Sequence, residues 1–319
     1  MKTLSRFSIL ILGLLMLLPL SSSNASEPMI NDPVIGSKGY YVGSYGDGAY
    51  WVTDGLYNSM FVVSNEGVIV IDAPGSYAGK LLDAIREVTD KPVKYFVYSH
   101  HHNDHTGGSA LLGDDIIRVG HELTAAELRR KNDTNRPVPS ITFSDAYTIK
   151  LGNQQVELAY PGLQHSPGNS FIYLPKQKVL MLVDVFYPGW VPFKDFAVAA
   201  SVSGYFHAFD QAKKYDFDYF QGGHVNRPGT RKDFEDAHQY ILDLQTNAGK
   251  AMQVTNFPLS VTGKENPIKE PYIPFNTYLE AASEICAQIT LQKWRDQLHA
   301  ADLYTKGHCW TTILDQMID

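Results

Sequence analysis

The segment of residues 99–108, with the sequence SHHHNDHTGG, places four potential metal ligands within six positions, directly after a β-branched and aromatic run. These ligands are His100, His102, Asp104 and His105. Alternate residues of an extended chain share a face, whereas His105 needs a turn to join the others. Imidazole and carboxylate groups are common ligands of zinc and similar ions. The segment therefore predicts a metal site at the end of a strand, against the alternative of a solvated histidine-rich loop.

The N-terminus has the pattern of a secretory signal. Lys2 and Arg6 precede an apolar run over residues 9–20, and a small-residue pattern ends at Ala25. The run is shorter than the roughly 20 residues that a membrane span needs, which disfavours a retained anchor. We expect residues 1–25 to be removed and the mature protein to be secreted or periplasmic.

The net charge of the chain limits the kinds of partner that it can bind. Residues 1–25 carry two basic and no acidic side chains, so their removal takes the formal charge from −7 to −9. An acidic protein is a poor ligand for the phosphate backbone, and we expect no nucleic acid partner. A small molecule is the expected partner, and the oligomeric state is left open.

The two cysteines of the chain, Cys286 and Cys309, both lie near its C-terminus. Exported proteins meet an oxidising environment, so we expect these residues to form a disulfide. Two free buried thiols are the alternative. A cysteine-ligated metal is disfavoured because no C-x-x-C spacing occurs.

Periodicity predicts strands and helices that alternate along the chain. Strand-like runs at residues 50–53, 59–64 and 67–71, separated by turn signals, predict an antiparallel meander. Residues 77–89 have helical spacing, and residues 93–98 form a further apolar strand. The predicted ligands thus follow the second strand of a strand–helix–strand unit, where sites in α/β sheets often lie.

The second half of the chain repeats this pattern. It contains strand-like runs at residues 141–143, 146–150, 155–159, 171–174 and 179–183, and helix-like segments at residues 204–214 and from Thr230 onward. Thr230 and Asp233 resemble a capping box. Two β-rich halves with outer helices predict an α/β (α+β) fold with four layers, an αββα sandwich.

We place the main domain at residues 26–250 and a C-terminal helical extension at residues 251–319. A proline-rich link is expected to join them, followed by an amphipathic helix. Its prolines are Pro258, Pro267, Pro271 and Pro274.

Three more potential ligands follow candidate strands: His165, Asp184 and His224. Each has an ordinary structural explanation when taken alone. Together with the H-x-H-x-D-H segment, they predict one site at a shared sheet edge.

With these residues the chain resembles the metallo-β-lactamase-fold hydrolase superfamily over roughly residues 37–250. The H-x-H-x-D-H segment, His165 before Ser-Pro-Gly-Asn, Asp184 and Gly-His224 match its motifs, and Asp72 matches an aspartate that is usually structural. The resemblance implies two metal ions that share Asp184. Metal one would bind His100, His102 and His165, and metal two would bind Asp104, His105 and His224.

The implied chemistry is hydrolysis by a hydroxide held between two zinc ions, although iron or manganese also suits such ligands. Asp104 is expected to orient the hydroxide. Tyr187 follows Asp184 with a D-x-x-Y spacing similar to that of acyl-homoserine lactone lactonases, and its phenol is a candidate hydrogen-bond donor to the developing oxyanion. A tyrosine that only packs is the alternative. The aromatic segment of residues 186–193 favours an uncharged, apolar substrate, and the glycines of residues 45–48 suggest a second mobile wall.

The expected function is therefore that of an exported hydrolase of carboxylic esters or lactones. A zinc β-lactamase is the first alternative, although one subclass of those enzymes has cysteine where Asp184 stands. A persulfide-dioxygenase-like oxidoreductase is the second, because such enzymes bind one iron through residues equivalent to His100, His165 and Asp184.

Overall fold

The structure is a computed structural model that describes residues 32–255 and 272–318. The predicted signal segment, residues 1–25, lies outside the described residues. Over the part of the chain that is described, no helix has the length and apolar content needed to cross a membrane.

The first sheet has seven strands that follow one another in chain order. They are β1 (Tyr41–Gly46), β2 (Ala49–Thr53), β3 (Asn58–Val63), β4 (Val68–Ile71), β5 (Val93–Val97), β6 (Ile117–His121) and β7 (Ile141–Phe143). The meander predicted from the turn signals is confirmed, because β2, β3 and β4 pair antiparallel. From β4 to β7 the strands pair parallel.

The second sheet has six strands in the order β13-β12-β11-β10-β9-β8. They are β8 (Ala146–Leu151), β9 (Gln154–Ala159), β10 (Phe171–Leu174), β11 (Val179–Met181), β12 (Tyr219–Gln221) and β13 (Gly229–Thr230). β11 and β12 pair parallel, whereas the other neighbours pair antiparallel. The carboxyl ends of β11 and β12 therefore lie at the same edge.

Helices connect and cover the strands. They are α1 (Ala78–Arg86), α2 (Asn103–Thr106), α3 (Glu122–Lys131), α4 (Lys194–Val198), α5 (Val202–Ala212), α6 (Arg231–Val254), α7 (Tyr272–Trp294) and α8 (Ala301–Ile318), with a 3-10 helix at Ser109–Leu112. The predicted capping box is present at the start of α6, where Thr230 and Asp233 bond each other's backbone.

The four-layer arrangement is confirmed. Apolar side chains of both sheets, such as Ile69 and Ile172, form a fully buried core between them. The outer face of the first sheet packs on α1 and α3, through residues such as Leu81 and Leu128. The outer face of the second sheet shares a buried core with α5, α6, α7 and α8, in which α7 packs on α6 and α8. The order of layers is αββα.

The C-terminal region has two helices, α7 and α8, where the sequence predicted one amphipathic helix. Pro274 was wrongly placed in the link, because it lies within α7, as the third residue of the described range of that helix. The other predicted link prolines lie outside the described residues. The predicted disulfide between Cys286 and Cys309 is present and joins α7 to α8.

Candidate metal centre

The H-x-H-x-D-H segment lies just beyond the carboxyl end of β5, as its sequence predicted. The single turn α2 begins at Asn103 and carries His105 back beside His100, with ring centroids 5.2 Å apart. Both of these histidines are fully buried. His102 and Asp104 line an adjoining cavity.

The remaining predicted ligands are on loops of the second sheet. His165 lies between β9 and β10, Asp184 follows β11, and His224 follows β12. Asp184 has a left-handed backbone with φ 61°. A residue other than glycine adopts this conformation at a cost, and such residues cluster at functional sites.

The structure brings all seven predicted ligands together in two groups that share Asp184. The Oδ2 atom of Asp184 lies 3.6 Å from His100 Nε2, 3.1 Å from His165 Nε2 and 3.2 Å from His105 Nε2. His224 Nε2 lies 3.2 Å from Asp184 Oδ1 and 3.8 Å from Asp104 Oδ2. Within each group the potential ligand atoms all lie within 4.8 Å of one another.

Unpartnered buried atoms indicate that these residues suit metal ions. His100 Nε2, His105 Nε2 and Asp184 Oδ1 are buried and have no hydrogen-bond partner among the described residues. Buried polar atoms are normally hydrogen-bonded, so such a concentration needs a physical explanation. Two sets of imidazole and carboxylate donors are the chemistry that zinc requires. The individual ligand assignments stay predictions.

Charge coupling between the carboxylates and histidines is strong. Burial acts to raise the pKa of Asp184, but His105 and His165 outweigh it and hold that pKa well below its usual range. Burial acts to lower the pKa of His105, but Asp184 and Asp104 raise it to about 10. The pKa of Asp104 is lowered against burial by His105. Both carboxylates are therefore ionised at neutral pH.

On the other side of the centre, imidazoles are held neutral. Burial lowers the pKa of His100 well below its usual value, and the neighbouring His165 acts in the same direction. Burial and His165 lower the pKa of His102 to about 4. A neutral imidazole is the form that binds a metal.

Asp72 is linked to the predicted ligand His100 through Ser99. Its buried carboxylate accepts a hydrogen bond from the backbone N–H of Ser99 (2.9 Å), and Ser99 Oγ lies 2.9 Å from His100 Nδ1. Burial raises the pKa of Asp72 to about 7. This chain of contacts orients the His100 ring, as outer partners of ligating histidines commonly do.

The glycine before His224 is required by close packing. A Cβ at Gly223 would lie 2.6 Å from His105 Cε1 and 2.5 Å from Val183 Cγ1. Asn58 also holds this loop, since its side-chain amide donates to the carbonyls of Gly222 (3.0 Å) and Val225 (2.6 Å). The first sheet thus positions a ligand of the second.

Tyr187 lies beside the predicted ligands, with its ring nearly parallel to that of His224 at a centroid distance of 6.1 Å. Burial raises the pKa of Tyr187 well above its usual value, and the charge of Asp184 adds to the rise. The phenol is therefore protonated at neutral pH and can donate a hydrogen bond.

The sequence did not identify Tyr57 as a site residue. Its ring lies 4.9 Å from the ring of His224 and 5.8 Å from that of His105, and the backbones of Tyr57 and His224 form an isolated β-bridge. In the sequence only the preceding turn signal, Asp54-Gly55, marks this region. That signal does not indicate proximity to His224, which lies 169 positions after Gly55.

A cavity of about 1070 Å³ opens beside the centre. Its described lining includes five predicted ligands, Tyr187 and part of the aromatic segment that the sequence singled out. The apolar residues of the lining are Leu56, Tyr57, Pro167, Tyr187, Trp190, Val191, Phe193, Ala197, Val198, Ala200, Val225 and Tyr304.

The expectation of a second mobile wall at residues 45–48 was wrong. These residues are absent from the described lining of the cavity. The carbonyl of Asp47 instead accepts hydrogen bonds from Gln154 Nε2 (2.6 Å) and Gln177 Nε2 (2.8 Å). Glycine-rich turns are ambiguous in this respect, because their sequence permits a tight packed hairpin as readily as a flexible one.

The matches with known proteins fall on the same region. The family model described as the Metallo-beta-lactamase superfamily matches residues 52–224. Over 148 residues the chain is 31% identical to 2,4-dinitroanisole O-demethylase subunit alpha of Nocardioides sp. (strain JS1661), covering 44% of this chain and 45% of that protein. It is 28% identical over 127 residues to Metallo-beta-lactamase type 2 of Bacillus cereus, covering 39% of this chain and 48% of that protein. The chain spans about half the length of the curated relatives it matches.

A solved structure shares the fold. The metallo-beta-lactamase from Pontibacter korlensis superposes with a TM-score of 0.56 at 22% sequence identity. The match covers 64% of this chain and 99% of that one.

Proposed function

The chain belongs to the metallo-beta-lactamase superfamily, and from this premise we propose that it is an exported hydrolase with two zinc ions that cleaves a carboxylic ester or a lactone. The observation that carries the proposal is the pair of ligand groups sharing Asp184 beside an apolar cavity. One metal ion alone would leave Asp104, His105 and His224 without a ligand role.

Each group of side chains would hold one ion. The first group is His100, His102, His165 and Asp184, and the second is Asp104, His105, Asp184 and His224. When bound, two such ions supply Lewis acidity and lower the pKa of a coordinated water towards 7.

The side chains then act on the reacting atoms. Asp104 is ionised, so it accepts a hydrogen bond from the attacking water and orients it. The protonated phenol of Tyr187 donates to the carbonyl oxygen as that oxygen gains charge. In hydrolysis the water oxygen forms a bond to the carbonyl carbon, and the bond between that carbon and the ester oxygen breaks. A proton from the water goes to the leaving alcohol.

The charges around the cavity favour an uncharged substrate. Its described lining contains the acidic residues Asp32, Asp104, Glu127 and Asp184 but neither lysine nor arginine. Away from the two metal ions, an anionic group of the substrate would meet Asp32 and Glu127 without a lysine or arginine as partner. The net charge of −7 likewise supports the expectation that nucleic acid is not a partner.

Export is proposed from two features. The N-terminal pattern ending at Ala25 is that of a secretory signal. The disulfide between Cys286 and Cys309 is compatible with an oxidising compartment.

Cleavage of a neutral aryl ether is a second candidate. The relative from Nocardioides is named as an O-demethylase of 2,4-dinitroanisole, and its substrate is an uncharged aromatic molecule. The aromatic lining of the cavity suits such a ring. A β-lactam is less well matched, because the described lining offers its carboxylate no lysine or arginine, although the Bacillus cereus relative is named a metallo-beta-lactamase.

The test combines metal analysis with a substrate panel on the purified mature protein. We expect about two zinc ions per chain and turnover of neutral esters or lactones. Asp184→Asn keeps the shape of the side chain but removes its charge, so it should lower metal content and abolish turnover. The exposed Asp216→Asn is the matched control and should change neither.

Three outcomes would refute the proposal. Rapid cephalosporin turnover with inert esters and lactones would indicate the β-lactamase. Cleavage of 2,4-dinitroanisole alone would indicate the ether-cleaving enzyme. One iron per chain with persulfide-dependent oxygen uptake would indicate the oxidoreductase.

A further inference from the structure

Four apolar side chains of the described cavity lining are here called the C-terminal wall: Trp190, Phe193, Val198 and Tyr304. Tyr304 belongs to α8, and the other three lie in residues 189–201, here called the wall loop, which include α4 and contact α8. Trp190 is 41% exposed, Phe193 52% and Val198 68%. Large apolar side chains grouped at this exposure mark a binding surface.

The region around α8 holds the wall loop through backbone contacts. The N–H of His299 donates to the carbonyl of Gly189 (2.9 Å), and the N–H of Val191 donates to the carbonyl of His299 (3.1 Å). The ring of Trp190 lies 5.0 Å from that of His299. In the wall itself, the rings of Phe193 and Tyr304 are 5.5 Å apart.

The loop also has a conformation that it would not hold alone. Four successive residues, Asp195 to Val198, have φ between 53° and 57°. Left-handed backbone costs roughly 1–2 kcal/mol for each such residue, so packing must impose it. Phe196 is fully buried, and its ring stacks on that of His308 of α8 at 4.5 Å.

The other end of the loop is attached to a predicted metal ligand. The N–H of Ala200 donates to the carbonyl of His165 (3.0 Å), and the N–H of Ser201 donates to that of Gln164 (3.0 Å). The wall is therefore held at a defined position relative to the centre by α8 on one side and the His165 loop on the other.

We propose that the C-terminal wall binds the apolar acyl group of the substrate, so that the C-terminal helices determine which esters the centre accepts. The inference rests on the proposed function and deepens it. A cavity of about 1070 Å³ is far larger than an acetyl group needs. Beyond the predicted ligands the described lining is largely apolar, with Asp32 and Glu127 as its acidic residues, so an uncharged aliphatic chain of several carbons matches it.

The test compares two uncharged esters with the same leaving group, p-nitrophenyl octanoate and p-nitrophenyl acetate. The wild-type protein should have the higher kcat/KM for the octanoate. Tyr304→Ala and Phe193→Ala should each lower the octanoate-to-acetate ratio of kcat/KM about tenfold, since lost apolar contact in a substrate pocket has effects of this order. Phe193 is half exposed, so its variant keeps the test valid if Tyr304→Ala fails to fold.

Leu303→Ala is the matched control. Leu303 is the neighbour of Tyr304 on α8, but it is 67% exposed and does not belong to the described lining. Both substrates should be turned over by this variant as by the wild type. A ratio that is unchanged in both wall variants would overturn the proposal.

A binding measurement tests the C-terminal wall independently of the proposed ester hydrolysis. The neutral fluorophore N-phenyl-1-naphthylamine should bind the wild-type protein, be displaced by 1-octanol, and bind about tenfold more weakly to Tyr304→Ala. A wild-type protein that hydrolyses no ester refutes the ester activity. The affinity for the fluorophore then still tests whether the C-terminal wall binds an apolar group. Equal fluorophore affinity in the wild type and both wall variants would refute the wall.

Discussion

Asp184 connects the two ligand groups, and its position depends on both sequence and tertiary structure. It lies three residues after the end of β11, so its place near a strand end was predictable. Its left-handed backbone and its 3.2 Å separations from His105 and His224 were not, because they arise where two sheets meet. The position of Tyr57 was even less predictable from the sequence, because no local pattern links this residue to His224.

Tyr187 is the residue whose role is most directly testable. Tyr187→Phe removes the hydroxyl and keeps the ring, so we expect metal content to be unchanged and kcat/KM for an ester to fall about 100-fold, the lower range for loss of an oxyanion donor. Steady-state kinetics with metal analysis measures both. Tyr173→Phe is the control, because that phenol donates to the carbonyl of Asp216 (2.7 Å) and does not line the described cavity. An equal effect of the two substitutions would contradict the assigned role.

At the scale of elements, α7 and α8 connect stability to the site. The disulfide joins the two helices over 23 positions and both cysteines are fully buried. Because the cross-link restricts the unfolded chain, we expect Cys286→Ser with Cys309→Ser to lower the free energy of unfolding by about 3 kcal/mol.

Chemical denaturation measures this loss. Reductant should destabilise the wild type and leave the double variant unaffected. Equal stability of the wild type and the double variant would show that the bond contributes nothing.

His308 of α8 is a buried histidine that contacts Tyr240 of α6 and Phe193 of the wall loop. Its protonation makes the stability of the fold depend on pH. Its Nε2 donates to the carbonyl of Phe193 (3.4 Å), and its Nδ1 lies 2.8 Å from the Tyr240 hydroxyl. Burial lowers the pKa of His308 to about 4, although the carbonyls of Phe193 and Pro192 oppose it. The folded protein therefore keeps this ring neutral.

The sign of the pH effect follows from that lowered pKa. The contribution to stability is complete above the unfolded pKa of about 6.5 and is lost as the pH falls towards 4. Between pH 6.5 and 5 the loss is about 2 kcal/mol. His308→Gln should reduce the slope of unfolding free energy against pH in this window, as measured by denaturation. A variant with the wild-type slope would exclude His308 as the source.

At the scale of the whole molecule, the centre lies where strand ends of the two sheets meet, so metal and fold should be coupled. Chelation would leave the buried carboxylates and imidazoles of the centre without a metal ion to bind. Metal at 1,000 times its Kd contributes about 4 kcal/mol, and each kcal/mol corresponds to about 2–4 °C, so we expect Tm to fall by roughly 10 °C.

Calorimetry with and without chelator measures this shift, and added zinc should restore both Tm and activity. Magnesium is the control and should restore neither, because it prefers oxygen ligands. An unchanged Tm after complete metal loss would contradict the coupling.

The sequence by itself determined the layered fold, the candidate ligands and the disulfide. Apolar periodicity, strand-end histidines and cysteine count are local or compositional properties, and they can be recognised without knowing which elements meet. Only the tertiary structure decided that Tyr57 faces His224, that residues 45–48 pack away from the cavity, and that α8 builds a wall of it. Those facts depend on contacts between segments far apart in the chain, and no local pattern encodes the packing of two sheets and a C-terminal helix around one space.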